Sequence, residues 1–281
     1  MRFFAARAAR LGKADCCMSE PVPTAGAVAI NDPFAQLAGP LAGTTRMQLE
    51  VVRNDLLTPH MQRLLLTAPE LGEFIHRPGQ DVMLMVAVDG DRPVRRRYTI
   101  RALDQSRRLL TLDVVRHGEG PGERWVRSVR PGDRIEGIGP RGKIFPAAGA
   151  DWHLFAGDES SLAAAFAMVG SLPRGATATV ILEVPEPADQ QEPDAAADVS
   201  MRWLPRGGGP AGEPAALARA LSSVPLPAGR GHAYLFGEAK VVLRLREVAA
   251  ERGLAEDQVS AKAYWGRGRA NASHGEPARD A

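Results

Sequence analysis

Apolar positions change their spacing once along this chain. From Met47 onward the pattern is short runs of alternating or continuous β-type residues: "MQLEVVR", "MQRLLLTA", "DVMLMVAV", "RRYTIRAL", "LLTLDVVR" and, after the turn "RPGD", "DRIEGIGP". Turn-like pieces such as "VDGDRP" and "DQSR" separate them. A two-residue period repeated at short intervals predicts a small antiparallel barrel. Pro146 and "AAGA" mark a boundary near residue 148, and the rhythm then alternates. The strands "WHLFAG", "TATVILEV", "VSMRWLP", "HAYLFG" and "VSAKAYW" are interleaved with the helical stretches "SSLAAAFAMVGSL", "EPAALARALSS" and "AKVVLRLREVAAERG". Strands taking turns with helices predict a parallel sheet of the nucleotide-binding type. Ser160 or Ser161 is available to cap the first of these helices, and Gly253 to close the last. The acidic, proline-bearing "PEPADQQEPDAAAD" is expected to be an exposed loop.

The expected organisation is a flexible segment over 1–44, a β-barrel over 45–147, an α/β unit over 148–268 and a polar tail over 269–281. The 281 residues suit two domains of moderate size. A formal charge of +2 makes any arginine cluster a local feature and argues against a nucleic-acid binder. The two cysteines, Cys16 and Cys17, are adjacent, so neither a disulfide framework nor a CxxC metal site is expected, and a reducing, cytoplasmic setting fits. The six histidines form no metal-spaced cluster. No apolar run has the length to cross a bilayer, and charges at Arg7, Arg10 and Lys13 interrupt what a signal peptide would need. Met18 is an alternative start. A monomer is the default expectation.

Three stretches can carry chemistry. In "RRRYTIR", Arg95–Arg101, strand alternation sends Arg96 and Tyr98 to one face and Arg97, Thr99 and Arg101 to the other. A guanidinium forks onto phosphate, an aromatic ring packs on a flat ligand and the Thr99 hydroxyl donates; a merely solvated strand face is the competing reading. In "HGEGPGERW", Gly118, Gly120 and Gly122 around Pro121 open a turn into a short helix, a ready seat for an anion, although such clusters are more often only turns. In "FAGDESSLAAA" a strand runs straight into a helix, where open α/β sheets bind nucleotides. There is no GxGxxG, so Asp158 and Glu159 either face ribose or amide groups or cap the helix.

Taken in order, RxYT, HGxGPGxxW, PGD, GPRG, GDES, "FGEA" and "KAYW" resemble the siderophore-interacting proteins, FAD-dependent ferric-siderophore reductases of the ferredoxin-reductase-like group. The likeness runs from about Met47 to Gly268. It implies an N-terminal antiparallel β-barrel that binds FAD, followed by a parallel-sheet α/β domain that binds NAD(P)H. It further implies Arg96 on the flavin diphosphate, Arg97 nearby, Tyr98 on the isoalloxazine and Thr99 at its edge. His117, Gly118, Gly120, Pro121, Gly122, Glu123, Arg124 and Trp125 form the diphosphate loop, with Trp265 closing the flavin side. Gly157, Asp158, Glu159 and Ser160, with Gly237, Glu238 and Ala239, correspond to the nicotinamide-nucleotide turns. Ser160 replaces a family threonine and Ala163 a proline. Lys262, Tyr264, Arg101 and Arg267 are the candidates for contact with an anionic ferric siderophore.

The expected activity passes electrons from NAD(P)H through FAD to the ferric chelate and releases Fe(II) in the cytoplasm. The rivals are a flavin enzyme with another acceptor and a ferric-siderophore binder without catalysis. Glu183 favours NADH by holding a ribose 2′-OH, whereas Arg206 favours NADPH by meeting a 2′-phosphate, so the donor stays open.

Overall fold

The computed structural model describes residues 43–89, 92–116, 118 and 120–268. The expected N-terminal segment before residue 43, the C-terminal tail and His117 lie outside the described residues. Every strand anticipated from alternation is present. Six of them, β1 (Thr45–Thr58), β2 (Met61–Thr67), β3 (Asp81–Asp89), β4 (Arg92–Asp104), β5 (Leu109–Val115) and β6 (Arg134–Arg141), close a barrel in the order β1-β2-β5-β4-β3-β6. All its ladders are antiparallel. Its inside is filled by the apolar half of each alternation, including Leu49, Leu64, Leu66, Leu84, Ile100, Leu110 and Leu112, all fully buried. Burial of this kind is the main force closing a small barrel.

Helix α1 (Pro121–Ser128) leaves the barrel between β5 and β6. It begins at Pro121, whose fixed φ and missing N–H suit a first helical position. Val126 anchors it in the barrel core, and the Asn54 amide donates to the carbonyls of Val126 and Val129 at 2.8 and 2.9 Å, satisfying the end of the helix.

The second half is a five-stranded parallel sheet in the order β11-β10-β7-β8-β9, formed by β7 (Trp152–Asp158), β8 (Thr177–Val184), β9 (Asp198–Pro205), β10 (Gly231–Glu238) and β11 (Val259–Trp265). Helices α3 (Pro214–Ser223) and α4 (Ala239–Glu251) cover one face. Helix α2 (Leu162–Val169) covers the other, where Phe155, Phe166, Tyr234 and Phe236 pack with Met61, Leu57, Val115 and Ile144 from the barrel half. The two halves therefore share an apolar seam. The strand order reverses between β7 and β10, which puts the topological switch point at the carboxyl ends of those two strands.

Two details depart from expectation. Ser161 holds the N-cap position of α2 but makes no side-chain cap bond, its hydroxyl donating to the Asp158 carbonyl; the side-chain cap is made one turn earlier by Asp158, which accepts from the Ser160 backbone N–H at 2.9 Å. A 3-10 turn over Glu159–Ser161 intervenes because β7 runs on as far as Asp158. The acidic loop after β8 is not wholly exposed either. Asp189 is buried and accepts from the Thr58 hydroxyl (2.8 Å) and from the backbone N–H of His60 (2.9 Å), with His60 Nδ1 2.8 Å from its other oxygen. These donors hold the Asp189 carboxyl below its ordinary pKa despite burial.

Candidate functional site

The barrel side of the site is built where β4 faces α1. Alternation on β4 turns Arg96 and Tyr98 toward the helix, and Gly122 in its first turn permits the approach. A Cβ on Gly122 would stand 2.9 Å from the Tyr98 hydroxyl and 3.3 Å from Arg96 Cγ. The rings of Tyr98 and Trp125 stack at 6.0 Å. Burial lifts the Tyr98 hydroxyl well above the ordinary tyrosine pKa, the Arg96 charge working against that shift and Glu123 with it. Burial also lowers Arg96 from its ordinary value, with Tyr98 in opposition. A partly desolvated guanidinium thus stands beside the positive end of a helix. Gly118, at φ +70°, and Gly120 open onto empty space, so backbone can come close to a ligand there. The set fits the diphosphate and ring of a flavin nucleotide: a fork donor, helix N–H groups, an aromatic face and glycine-opened backbone.

The neighbouring residues divide. Glu123 is buried and paired with Arg127 one helical turn on, and Arg124 is exposed. Arg97 turns away from Arg96 and grips Asp81 with both arms, Nε to Oδ1 at 2.8 Å and Nη2 to Oδ2 at 2.6 Å. Thr99 lies opposite Asp81 in the β3–β4 register. Arg95 is half-buried.

The α/β side is organised by Asp158. Its carboxylate accepts from the Ser160 N–H and hydroxyl, from the Glu238 backbone N–H at 2.9 Å and from Trp265 Nε1 at 2.8 Å. Burial, with Glu159 alongside, raises its pKa to about 6 against the pull of these donors. Asp158 therefore ties together the ends of β7, β10 and β11 and faces inward. The glycines allow this convergence. A Cβ on Gly157 would meet the Phe236 carbonyl at 2.3 Å, and Gly237, at φ +128°, leaves 2.6 Å between a Cβ and Asp158 Oδ2. Glu238 caps α4, accepting from the N–H groups of Lys240 and Val241, and its other oxygen accepts from the Arg267 N–H at 3.1 Å; Ala239 begins the helix.

The four residues expected at the chelate do not converge on one open mouth. Lys262 is buried: its Nζ lies 3.4 Å from Asp81 Oδ2 and 5.6 Å from the Tyr264 ring. Tyr264 in turn stacks on Phe236 at 5.3 Å. Arg101 points into the junction between β4 and α2, 3.6 Å from Asp113 and 5.6 Å from the centre of the Phe166 ring. Arg267 is exposed and bound to Glu213 at 2.8 Å and to the Ala211 carbonyl. Strand alternation reports a face but not what lies against it, hence the dispersal. Asp81, which joins Arg97 of the barrel to Lys262 of the sheet, escaped sequence reasoning; its only signal was a carboxylate opening an apolar strand. No group of three or more His, Cys, Asp or Glu side chains is placed to hold a metal among the described residues, and none of their helices is long and apolar enough to cross a membrane.

Comparison with known proteins agrees with this two-part layout. Family models match twice: the siderophore-interacting FAD-binding domain over residues 79–144 and the siderophore-interacting protein over residues 150–268. The chain is 30% identical to the ferric vibriobactin reductase ViuB of Vibrio cholerae, over 79% of this chain and 89% of that protein. It is 25% identical to an NADPH-dependent ferric-chelate reductase of Escherichia coli, over 78% of this chain and 92% of that one. A siderophore utilization protein from T. fusca superposes with a TM-score of 0.74 at 32% identity, covering 83% of this chain and 97% of that structure. Ferredoxin-reductase-like structures, such as the ferredoxin reductase of carbazole 1,9a-dioxygenase (TM-score 0.62), share the barrel-plus-sheet fold. With family matches in both halves and relatives at 30% identity or above along nearly their whole length, the chain belongs to the siderophore-interacting protein family.

Proposed function

We propose that this protein is an FAD-dependent reductase that carries electrons from NAD(P)H to ferric siderophores and releases Fe(II) in the cytoplasm. The observation that carries the reading is the packing of Arg96 and Tyr98 against the glycine-opened start of α1. It offers an anion grip and an aromatic wall within the segment matched by the FAD-binding family model. Bound there, FAD supplies the conversion between a two-electron hydride donor and a one-electron ferric acceptor.

The chain's own residues hold and orient. Arg96 and the first N–H groups of α1 take the diphosphate, and Tyr98, braced by Trp125, sets the ring plane. Asp158 fixes the turns after β7 and β10 and the Trp265 ring, shaping the edge where the donor nucleotide docks. Arg97 and Lys262 both meet Asp81 at the junction of the halves, and the anionic chelate is assigned to that side. No iron ligand is required of the protein: ferric iron is hard and held by the oxygens of its chelator, and reduction loosens that grip by lowering its charge.

The test begins with the visible spectrum and FAD content of the purified protein, followed by NADH and NADPH titration without oxygen. Reduced protein is then mixed with ferric hydroxamate, catecholate and carboxylate siderophores. Flavin reoxidation with formation of Fe(II) is expected for at least one class. A protein that takes up no FAD, or whose reduced flavin is reoxidised by none of the three, ends the proposal.

A further inference from the structure

At the carboxyl ends of β7, β8 and β9 three side chains meet: Glu159, Glu183 and Arg206. Arg206 holds Glu159 with both arms, Nη1 to Oε2 at 2.6 Å and Nη2 to Oε1 at 2.7 Å, and its Nη1 also reaches Glu183 Oε1 at 3.2 Å. None of the three is more than 10% exposed. Asp158 lies one residue before Glu159 and is also buried. One guanidinium is therefore enclosed by acidic groups at the edge where an open α/β sheet receives its nucleotide.

In such sheets the end of the second strand decides between two donors: an acid there suits a ribose 2′-hydroxyl, and an arginine nearby suits a 2′-phosphate. This chain has both, and the structure ranks them. A guanidinium that receives a phosphate must present its fork to the ligand, whereas both arms of Arg206 are directed inward onto Glu159. For a 2′-phosphate to claim them it would have to displace a bidentate carboxylate and leave Glu159 and Glu183 buried without their shared cation, an arrangement that is strongly disfavoured. A phosphate left outside would add nearly two negative charges beside acidic groups.

We infer that the donor is NADH, with Glu159 and Glu183 acting as specificity residues that exclude a 2′-phosphate by occupying Arg206. The inference rests on the donor-site reading above and assigns the site a narrower substrate. Neither acid is a catalytic residue; both act through Arg206.

The test uses the full-length, FAD-loaded protein. Ferricyanide as acceptor removes any dependence on the siderophore, and calorimetric titration with adenosine 5′-monophosphate and adenosine 2′,5′-bisphosphate reads binding apart from turnover. The expected result is a kcat/KM for NADH at least tenfold above that for NADPH, with the bisphosphate binding no tighter than the monophosphate. In Glu183→Gln, assayed at pH 8 so that the parent acid is ionised, the shape is kept and a charge removed, and the NADH preference should fall several-fold, through KM rather than kcat. Equal or greater use of NADPH, or tighter binding of the bisphosphate, overturns the inference and leaves the reductase standing. If neither nucleotide is oxidised and neither adenosine phosphate binds, the donor-site reading falls, and the inference with it. Should the variant fail to fold, the wild-type ratios alone decide.

Discussion

Asp81→Asn should loosen the joint between the barrel and the sheet. Asp81 is 4% exposed and shared by Arg97, at 2.8 and 2.6 Å, and Lys262, at 3.4 Å. At 3.4 Å, Coulomb attraction between unit charges is about 5 kcal/mol at an effective dielectric of 20. Desolvation of both groups opposes it, and removing one partner of a buried pair destabilises by about 3–5 kcal/mol, chiefly through the charge left behind. The Arg97 side chain is 34% exposed and can turn to water, whereas that of Lys262, at 10%, cannot. The loss therefore falls on Lys262 and belongs near the low end, about 3 kcal/mol. For a chain of this size that lowers the thermal midpoint by roughly 6–12 °C, readable by circular dichroism or calorimetry at neutral pH and low salt. The companion Asp81→Asn/Lys262→Met replaces the buried ammonium by an apolar side chain and should regain at least half of the loss. A single variant melting within about 1 °C of the parent, or a double variant no better than the single, would refute the trapped-lysine account.

Three further outcomes follow from the geometry. Arg96→Ala should strip FAD from the purified protein while Arg97→Ala retains it, because Arg97 is turned onto Asp81; equal FAD content in the two variants would sink the division of the arginines. Gly237→Ala forces a Cβ to 2.6 Å from Asp158 Oδ2 at φ +128°, so its urea midpoint should correspond to a loss of at least about 2 kcal/mol, and an unchanged midpoint counts against the packed turn. Burial raises Glu183 to about 7, the more so because Arg206 gives it a single contact and gives Glu159 two. A raised acid binds its proton more tightly folded than unfolded, so its contribution is present at low pH and is lost as pH climbs through about 7. Thermal midpoints measured from pH 5 to pH 8 should fall more steeply for the parent than for Glu183→Gln, and parallel curves would contradict the buried acid.

What the sequence made legible is what local periodicity controls. Alternation located all six barrel strands and the five of the sheet, and on β4 it separated Arg96 and Tyr98 from Arg97, because a pleat fixes opposite faces whatever lies beyond them. It could not say which face meets which neighbour. Lys262 reads as a strand-end cation, yet the face it shares with Ser260 and Tyr264 is the one turned toward the barrel, where Asp81, 181 residues away, receives it. Asp189 likewise reads as loop and turns out to be held by Thr58 and His60, 131 and 129 residues distant. Both are carboxylates with no local partner of opposite charge, placed in otherwise unremarkable surroundings, and both join the two halves. In a chain that folds as a barrel followed by a sheet, every contact across the seam is long-range, so the residues that fix the cleft are those that local pattern leaves unexplained. An acid at the mouth of an apolar strand is then a better pointer to the seam than the more conspicuous run of arginines, of which Arg96 faces the opened turn of α1 while Arg97 serves the barrel and Arg101 its joint with α2.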